Sequence, residues 1–341
     1  MINKIFLAIF LLILSTIVNA IPNNCVGLLY HHFSDKTPKS TSVSPKLFEQ
    51  HLKYLKENNF QILPLSEVIT KLKNKQKLAD KCVFITIDDA YISIYNNAYP
   101  LIKKYNTPVS VFVSTEQTDK GYKAIMTWDQ MREIQGDLVS FYNHSRNHSH
   151  LTEQSITKTH AEVLYAAKRL QEELSVKDKF FAYPYGEYDK DTYDLLTSLG
   201  YVSFGQQSGA IGENSDFSAL PRFPMAANYA KMKSFKLKVN TLAFPILSEK
   251  PINSVITNDL KPKLIIIFNR EINKKEQHSF NCFVSGQQNA EVIWKNSKHV
   301  IIRAKENLNF GRSRYNCTML SRFDKRFYWY SKQWLNSSRK D

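Results

Sequence analysis

Residues 83–91 read VFITIDDAY, and this stretch decides the fold class. Five apolar or β-branched residues run directly into two adjacent carboxylates, Asp88 and Asp89. A short apolar run of this kind predicts a strand buried on both faces, as in a parallel sheet or barrel. Open α/β sheets and α/β barrels build their functional sites where such strands end. Two like charges there are unfavourable unless a cation or a proton relieves them, although an Asp pair can also simply cap the next helix.

Similar strand–helix units recur on both sides of this stretch. Apolar strands are expected near 26–30, 109–113, 138–142, 180–183 and 201–204, with amphipathic helices between them. We count six or seven such units, fewer than in an eight-fold barrel. The alternation therefore predicts an α/β fold, a distorted (β/α)7-type barrel over about residues 25–230.

The pattern changes after about residue 235. Short strand-like runs follow at regular spacing, and no helical period is expected between them: 264–268, 280–285, 290–294, 300–304, 314–319 and 326–330. This pattern is typical of a small antiparallel β-sandwich. The aromatic residues at 327–330 and Trp334 either stack on sugar rings or form the sandwich core, and their alternation favours the core. We expect three parts: a leader over 1–20, the α/β domain over 21–232 and the sandwich over 233–341.

The N-terminus indicates export. Lys4 precedes an uninterrupted apolar run from Ile5 to Leu14, and Val18-Asn19-Ala20 supplies fairly small residues at the −3 and −1 positions. These are the features of a secretory signal peptide cleaved after Ala20. The run is short for a transmembrane helix, and an uncleaved membrane anchor is the alternative. We therefore expect an exported protein of the periplasm or cell envelope.

The four cysteines of an exported chain suggest two disulfides. Three pairings are possible. Cys25 lies six residues before His31, and Cys82 lies six residues before Asp88, so the two would be level if their strands are parallel neighbours. We expect Cys25–Cys82 and Cys282–Cys317, with unpaired buried thiols as the alternative.

The chain is basic, with 46 Lys and Arg against 31 Asp and Glu and a net charge of +15. Such a balance favours anionic partners, among them an acidic envelope polymer or an anionic membrane surface. The lysines are scattered and no nucleic-acid motif is present, so we do not expect nucleic acid as a partner.

Three strand ends carry polar clusters: Asp88-Asp89, the segment from His144 to His148, and Tyr183-Pro184-Tyr185-Gly186. Two histidines four positions apart would share one face of a helical turn and could bind one metal, although such a pair alone is more often a surface feature. A carboxylate from another strand end would complete a two-His-one-carboxylate set with a position open for water. His150 competes for the second histidine position.

The order of these motifs resembles the NodB-homology polysaccharide deacetylases, carbohydrate esterase family 4. The T-F-D-D-G motif of that family appears as T-I-D-D-A at 86–90, its H-[S/T]-x-x-H motif at 144–148 and its P-Y-G motif at 184–186. L-Y-H-H at 29–32 is similar to the exported poly-N-acetylglucosamine deacetylases, in which the acid histidine has moved to the front of the domain. The resemblance covers about residues 25–225 and makes 21–232 a NodB-like domain.

The resemblance implies a role for each motif residue. Asp89, His144 and His148 would bind a divalent metal, most often zinc, and Asp88 would be the general base that activates water. His31 would be the general acid for the leaving amine, with His32 as the alternative, because strand alternation lets only one of them face the barrel mouth.

Two further residues complete this expected site. The backbone N–H near Tyr185 would help to hold the oxyanion. Arg222 would pair with Asp88 and keep it ionised, unless it forms an ordinary surface salt bridge.

Two departures from the family pattern matter. Ala90 stands where the first motif has Gly, which is tolerable if its φ is negative and nothing packs where Cβ would sit. The later family motif with Asp-Trp is not evident, which puts the substrate groove in doubt more than the metal.

The function implied is metal-dependent hydrolysis of the N-acetyl group from N-acetylhexosamine residues, releasing acetate. The glycan would be poly-N-acetylglucosamine, peptidoglycan or the sugar of a surface glycolipid. One alternative is a glycan-binding protein on the same fold that has lost turnover. Another is a deacylase of a non-sugar amide, because the catalytic set does not itself recognise sugar.

Overall fold

The computed structural model describes residues 23–337 of the chain. The expected signal peptide, residues 1–20, lies outside these residues. Every helix within 23–337 is too short or too polar to cross a lipid bilayer. The described chain forms a curled α/β sheet followed by two smaller sheets, which confirms the fold predicted above.

The first region consists of short strands that alternate with helices. Its strands are β1 (Asn24–Tyr30), β2 (His32–Phe33), β3 (Ser42–Val43), β4 (Gln61–Ile62), β5 (Cys82–Asp88), β6 (Val109–Val113), β7 (Val139–Asn143), β8 (Phe180–Ala182), β9 (Val202–Phe204), β10 (Ala210–Gly212) and β11 (Phe223–Pro224). Its helices are α1 (Pro45–Glu57), α2 (Leu65–Lys73), α3 (Tyr99–Tyr105), α4 (Thr115–Asp119), α5 (Trp128–Ile134), α6 (Ile156–Leu174), α7 (Lys190–Ser198) and α8 (Met232–Val239).

The main sheet has the strand order β10-β1-β5-β6-β7-β8-β9, with β11 beside β1 and β4 beside β5. All pairs are parallel except β1 with β10. Every residue of β5 is buried, as expected for a strand covered on both faces. Because parallel strands end at the same edge, the loops after β5, β7 and β8 share one side of the sheet.

Both disulfides join neighbouring strands, and both expected pairings are confirmed. Val26 on β1 is level with Val83 on β5, so Cys25 and Cys82 meet with Cα atoms 4.6 Å apart. Cys282 and Cys317 lie directly opposite each other on an antiparallel pair in the second region.

The second region forms two packed sheets. Its elements are β12 (Leu242–Ala243), β13 (Ile246–Lys250), β14 (Val255–Ile256), β15 (Lys263–Phe268), α9 (Lys274–Ser279), β16 (Asn281–Val284), β17 (Glu291–Asn296), β18 (His299–Arg303), β19 (Gly311–Leu320) and β20 (Phe327–Asn336). One sheet has the order β12-β20-β19-β16 with β14 beside β20, and the other has the order β13-β15-β18-β17. We call them the C-terminal sheets.

Two details of the C-terminal sheets differ from the prediction. The helix α9 interrupts the strands, and it begins at a capping box in which Asn273 and Glu276 each accept a backbone N–H of the other. In addition, β12 and β14 run parallel to β20. Of the aromatic residues considered above, Tyr328 and Trp334 are fully buried in the core between the sheets, whereas Phe327 is exposed.

The two regions meet along β20. The ring of Trp329 packs edge-on against Phe223 of β11, with centroids 5.4 Å apart. Alternate residues of β20 therefore face the sandwich core and the α/β sheet, as the period of a strand requires.

Candidate metal and catalytic site

Three side chains converge at the carboxyl edge of the main sheet. Asp89 follows β5, and His144 and His148 follow β7. One ligand atom from each lies within 4.8 Å of the others. The Asp89 Oδ1 is 3.3 Å from His144 Nε2 and 3.1 Å from His148 Nε2.

The orientation of these atoms fits a divalent cation. The Nδ1 of His144 donates to the carbonyl of Ala182 at 2.7 Å, which turns its Nε2 toward Asp89 and leaves that nitrogen available as a metal ligand. The buried Asp89 Oδ1 and His144 Nε2 have no hydrogen-bond partner of adequate geometry within the described residues, despite their proximity. Burial opposes ionisation of Asp89, but the two histidines outweigh it and hold the pKa of its carboxyl well below the usual range. Two unpaired buried atoms and a charged carboxylate at one point suit a metal with two His and one carboxylate ligands.

The histidine pair is not on a helix, contrary to the expected helical turn. Ser145 and His148 have φ values of 65° and 58°, so the segment after β7 is a loop with two left-handed residues. Asn143 stabilises this loop, because its Oδ1 accepts from the Ser145 N–H and its Nδ2 donates to the carbonyl of Val163 in α6.

Ala90 adopts a left-handed conformation with φ 52°, so the condition of a negative φ, under which Ala would be tolerated without strain, is not met. Its side chain is fully buried in the main core. A left-handed conformation costs a residue with Cβ about 1–2 kcal/mol, so Ala90 is held in a strained backbone conformation.

Asp88 and Arg222 form a buried bidentate ion pair. The guanidinium Nη1 and Nη2 donate to the two carboxylate oxygens at 2.7 and 2.9 Å, and both side chains are 0% exposed. The same guanidinium donates to the carbonyl of Gly205 and to the Thr86 hydroxyl. Burial opposes the charge of Asp88, but Arg222 and His144 outweigh it and lower the pKa of its carboxyl. The surface salt bridge weighed as an alternative for Arg222 is therefore excluded.

The two adjacent histidines after β1 have different surroundings. The His32 ring stacks on Tyr91 with centroids 3.5 Å apart. His31 is partly buried among the charges of Asp89 and Asp88, which oppose the lowering of its pKa by burial. The charges of both Asp88 and Asp89 therefore act on His31, whereas only that of Asp89 acts on His32.

Tyr185 lies beside the histidine pair in an unusual backbone conformation, with φ 59° and ψ 2°. Its ring meets His148 edge-on at 4.5 Å and stacks on His150 at 3.9 Å. His150 is turned away from the cluster, because its Nδ1 contacts Glu187 Oε2 at 2.6 Å. His148, and not its competitor His150, therefore joins Asp89 and His144.

Sequence reasoning missed four neighbours of this site. Tyr91 stacks on His32, and burial together with the charge of Asp89 raises its pKa. Glu187 pairs with His150, while Arg312 and Gln333 donate to the carbonyls of the Tyr185 loop. The position of Tyr91 directly after the first motif was an available signal. No pattern in the sequence indicated the other three.

Comparisons with known proteins agree with this geometry. The family model for polysaccharide deacetylases matches residues 75–204. YxkH of Bacillus subtilis (strain 168), a protein assigned to the polysaccharide deacetylases, is 30% identical over 196 residues, which cover 57% of this chain and 69% of that protein. The poly-beta-1,6-N-acetyl-D-glucosamine N-deacetylase of Staphylococcus aureus (strain MRSA252) is 28% identical over 209 residues, 58% of this chain and 72% of that enzyme.

A solved structure matches over a similar share of the chain. The deacetylase PplD of Streptococcus pyogenes, solved in complex with acetate, superposes with a TM-score of 0.60 and 28% identity, covering 64% of this chain and 99% of PplD. The chain thus belongs to the polysaccharide deacetylase family, whose members are hydrolases.

Proposed function

We propose that this protein hydrolyses the N-acetyl group of N-acetylhexosamine residues in an extracellular or envelope polysaccharide and releases acetate. The observation that carries the proposal is the convergence of Asp89, His144 and His148 beside the buried Asp88–Arg222 pair. The names of the relatives support the substrate class, since one acts on poly-β-1,6-N-acetylglucosamine and another was solved with acetate.

Asp89, His144 and His148 would hold the divalent metal, and their ligand set suits zinc. Bound there, the metal would polarise the acetamide carbonyl and lower the pKa of a water.

The other residues act as acid, base and hydrogen-bond donor. Asp88, kept ionised by Arg222, takes the proton of the attacking water at a carboxylate oxygen. The Tyr185 backbone N–H donates to the oxygen that gains negative charge in the tetrahedral intermediate. His31 gives a proton to the sugar nitrogen as the C–N bond breaks, so that the amine leaves in a neutral form.

We also propose an exported protein with residues 21–232 as the deacetylase domain and 233–341 as a separate domain. Two disulfides support an oxidising compartment, the periplasm or the cell envelope. The net charge of +15 supports contact with an anionic polymer or membrane surface.

The test measures acetate released by the purified protein with added zinc. Substrates are β-1,6-linked N-acetylglucosamine oligomers, chito-oligosaccharides, peptidoglycan fragments and a small N-acetyl amide. We expect release from at least one glycan, and loss of about 10²-fold or more in kcat for Asp89→Ala, together with loss of bound metal. The control is Asp259→Ala, since Asp259 is an exposed aspartate in the segment between β14 and β15.

Two results would contradict the proposal. Release from the small amide alone would indicate a non-sugar deacylase. Glycan binding that survives Asp88→Asn, with no acetate from either form, would indicate a binding protein that has lost turnover.

A further inference from the structure

The C-terminal sheets reach into the candidate site at the loop Tyr183–Gly186. The Nη1 of Arg312, on β19, donates to the carbonyl oxygen of Tyr185 at 3.0 Å. The Nε2 of Gln333, on β20, donates to the carbonyl oxygen of Gly186 at 3.0 Å. Two consecutive carbonyls of the loop are thus held by side chains of one sheet, and we call Arg312 and Gln333 the carbonyl clamp.

The geometry of the sheet explains why these two side chains act together. β19 and β20 are antiparallel neighbours, with Arg312 opposite Leu335 and Gln333 two residues from Leu335. Side chains at this diagonal lie on the same face of a sheet. Their face is the one turned toward the α/β sheet, because Tyr328 and Trp334, on the opposite face, fill the sandwich core.

The loop needs such support because its backbone is strained. Tyr185 and Gly186 are both left-handed, with φ values of 59° and 71°. A non-glycine residue in this conformation costs about 1–2 kcal/mol and persists where its surroundings enforce it. Fixing the two carbonyls fixes the peptide planes that directly follow the Tyr185 N–H, the proposed oxyanion donor.

Burial of the Gln333 amide is unfavourable for stability unless the amide makes a hydrogen bond that offsets its loss of contact with water. The residue is 1% exposed, and its Oε1 has no hydrogen-bond partner within the described residues. A buried amide with an unpaired oxygen is less favourable than an apolar side chain of similar size. The donation to Gly186 is the interaction that an apolar residue could not replace.

Arg312 also connects to the Tyr185 ring through Glu187. Its Nε lies 3.5 Å from Glu187 Oε1, and the other oxygen of this carboxylate contacts His150 Nδ1 at 2.6 Å. The His150 ring stacks on Tyr185 at 3.9 Å. One arginine of the C-terminal sheets therefore acts on both the backbone and the side chain of Tyr185.

We propose that the C-terminal sheets are part of the active site, with Arg312 and Gln333 as positioning residues that hold the Tyr185 loop in its reactive conformation. The proposal rests on the proposed function for its catalytic consequence. Its structural part, the clamp on the loop, stands independently and has its own readout.

The kinetic test uses the full chain with Arg312→Met, Gln333→Met and Arg312→Lys. The matched control is Arg303→Met. The Arg303 side chain is 44% exposed, against 45% for Arg312. Arg303 also donates from Nε to a backbone carbonyl, that of Lys261 at 2.7 Å, but this carbonyl is not part of the Tyr185 loop. We expect both Met variants to lose roughly tenfold or more in kcat with KM changed less than about twofold, since a displaced group affects the transition state most. Arg312→Lys, which keeps one donor, should recover most of the loss.

A structural readout separates the clamp from the activity. Hydrogen exchange at the Gly186 and Glu187 amides, which donate to Tyr183 and Pro184 within the loop, should quicken in Arg312→Met and not in Arg303→Met. If the wild-type protein releases no acetate but exchange is still faster in Arg312→Met than in the wild type, the proposed function is refuted and the clamp is supported. Arg312→Met with the kcat and exchange of the control would overturn the clamp, and because Arg312 is half-exposed this variant should fold even where Gln333→Met does not.

Discussion

Backbone strain is distributed unequally between the two regions of the molecule. Within residues 23–337, all ten non-glycine residues with positive φ lie between Asn59 and Ala227, and five of them are in the three motif loops. In the C-terminal sheets, positive φ in the described residues is confined to Gly286 and Gly311. Strain that a sequence retains at non-glycine positions marks places where geometry matters more than stability. Left-handed non-glycine residues of the described chain are therefore confined to the α/β region, and half of them lie in its three motif loops.

Buried charge follows the same division. Asp88 and Arg222 are both 0% exposed. In the C-terminal sheets, each of the two most buried ion pairs keeps one partner near water: Arg270 is 20% exposed beside Glu276, and Glu249 is 23% exposed beside Lys332. A fully buried pair gains little stability over apolar residues, but losing one partner is expensive.

The largest expected effect is on the free energy of unfolding, when the arginine of a bidentate ion pair is removed from the α/β region rather than from the C-terminal sheets. Arg222→Met should destabilise the protein by about 3–5 kcal/mol, because Asp88 would be left buried and unpaired. Arg270→Met, which breaks a similar bidentate pair with Glu276, should cost clearly less, because water can replace the partly exposed guanidinium. Urea unfolding at pH 7 measures both. Equal losses would show that the two regions treat buried charge alike.

The second prediction concerns how the free energy of unfolding depends on pH. His51 is fully buried between the Tyr30 hydroxyl and the carbonyl of Ala230, and burial lowers its pKa from 6.5 to about 4. The unfolded chain therefore takes up the proton first as the pH falls. Stability from this group is complete above about pH 6.5 and is lost progressively down to about pH 4, to a total of about 3 kcal/mol.

The variant His51→Gln should remove this acid-dependent component, as measured by urea unfolding at pH 7 and pH 4.5. Phe235→Leu is the control, because Phe235 stacks on His51 at 3.9 Å but does not titrate. Phe235→Leu should lower stability at both pH values and keep the difference between them. An unchanged pH dependence in His51→Gln would contradict the assignment.

The smallest expected effect tests strain directly. Ala90→Gly should change the free energy of unfolding by less than about 1 kcal/mol, because relief of the left-handed conformation offsets the lost methyl burial and the added chain entropy. Ala304→Gly in the C-terminal sheets, also buried but without positive φ, should cost about 1 kcal/mol. Similar losses for both would mean that Ala90 is not strained.

Local patterns predicted much of the fold. The apolar run before Asp88 predicted a doubly buried strand, and the equal offsets of Cys25 and Cys82 predicted their disulfide. The capping box of Thr127 and Gln130, a purely local arrangement, marks the start of α5. These features depend on residues close in sequence, or on strands that are direct neighbours.

Other features followed from no local rule. The His144–His148 pair meets Asp89 through a loop with two left-handed residues and not through a helical turn, although the four-residue spacing suits a helix. The left-handed φ of Ala90 could not be predicted either, since an Ala gives no local signal for a left-handed position.

By itself, the sequence determined that carboxylates, histidines and a P-Y-G turn follow buried strands, because apolar runs and turn residues act over a few positions. The tertiary structure decided between the two alternatives for Arg222, which reaches Asp88. Only the tertiary structure showed that Arg312 reaches Tyr185 from 127 positions away. Contacts over such distances depend on how two sheets pack and on which face of each strand is turned inward. Periodicity alone predicts the faces of a strand but not the partner that covers them.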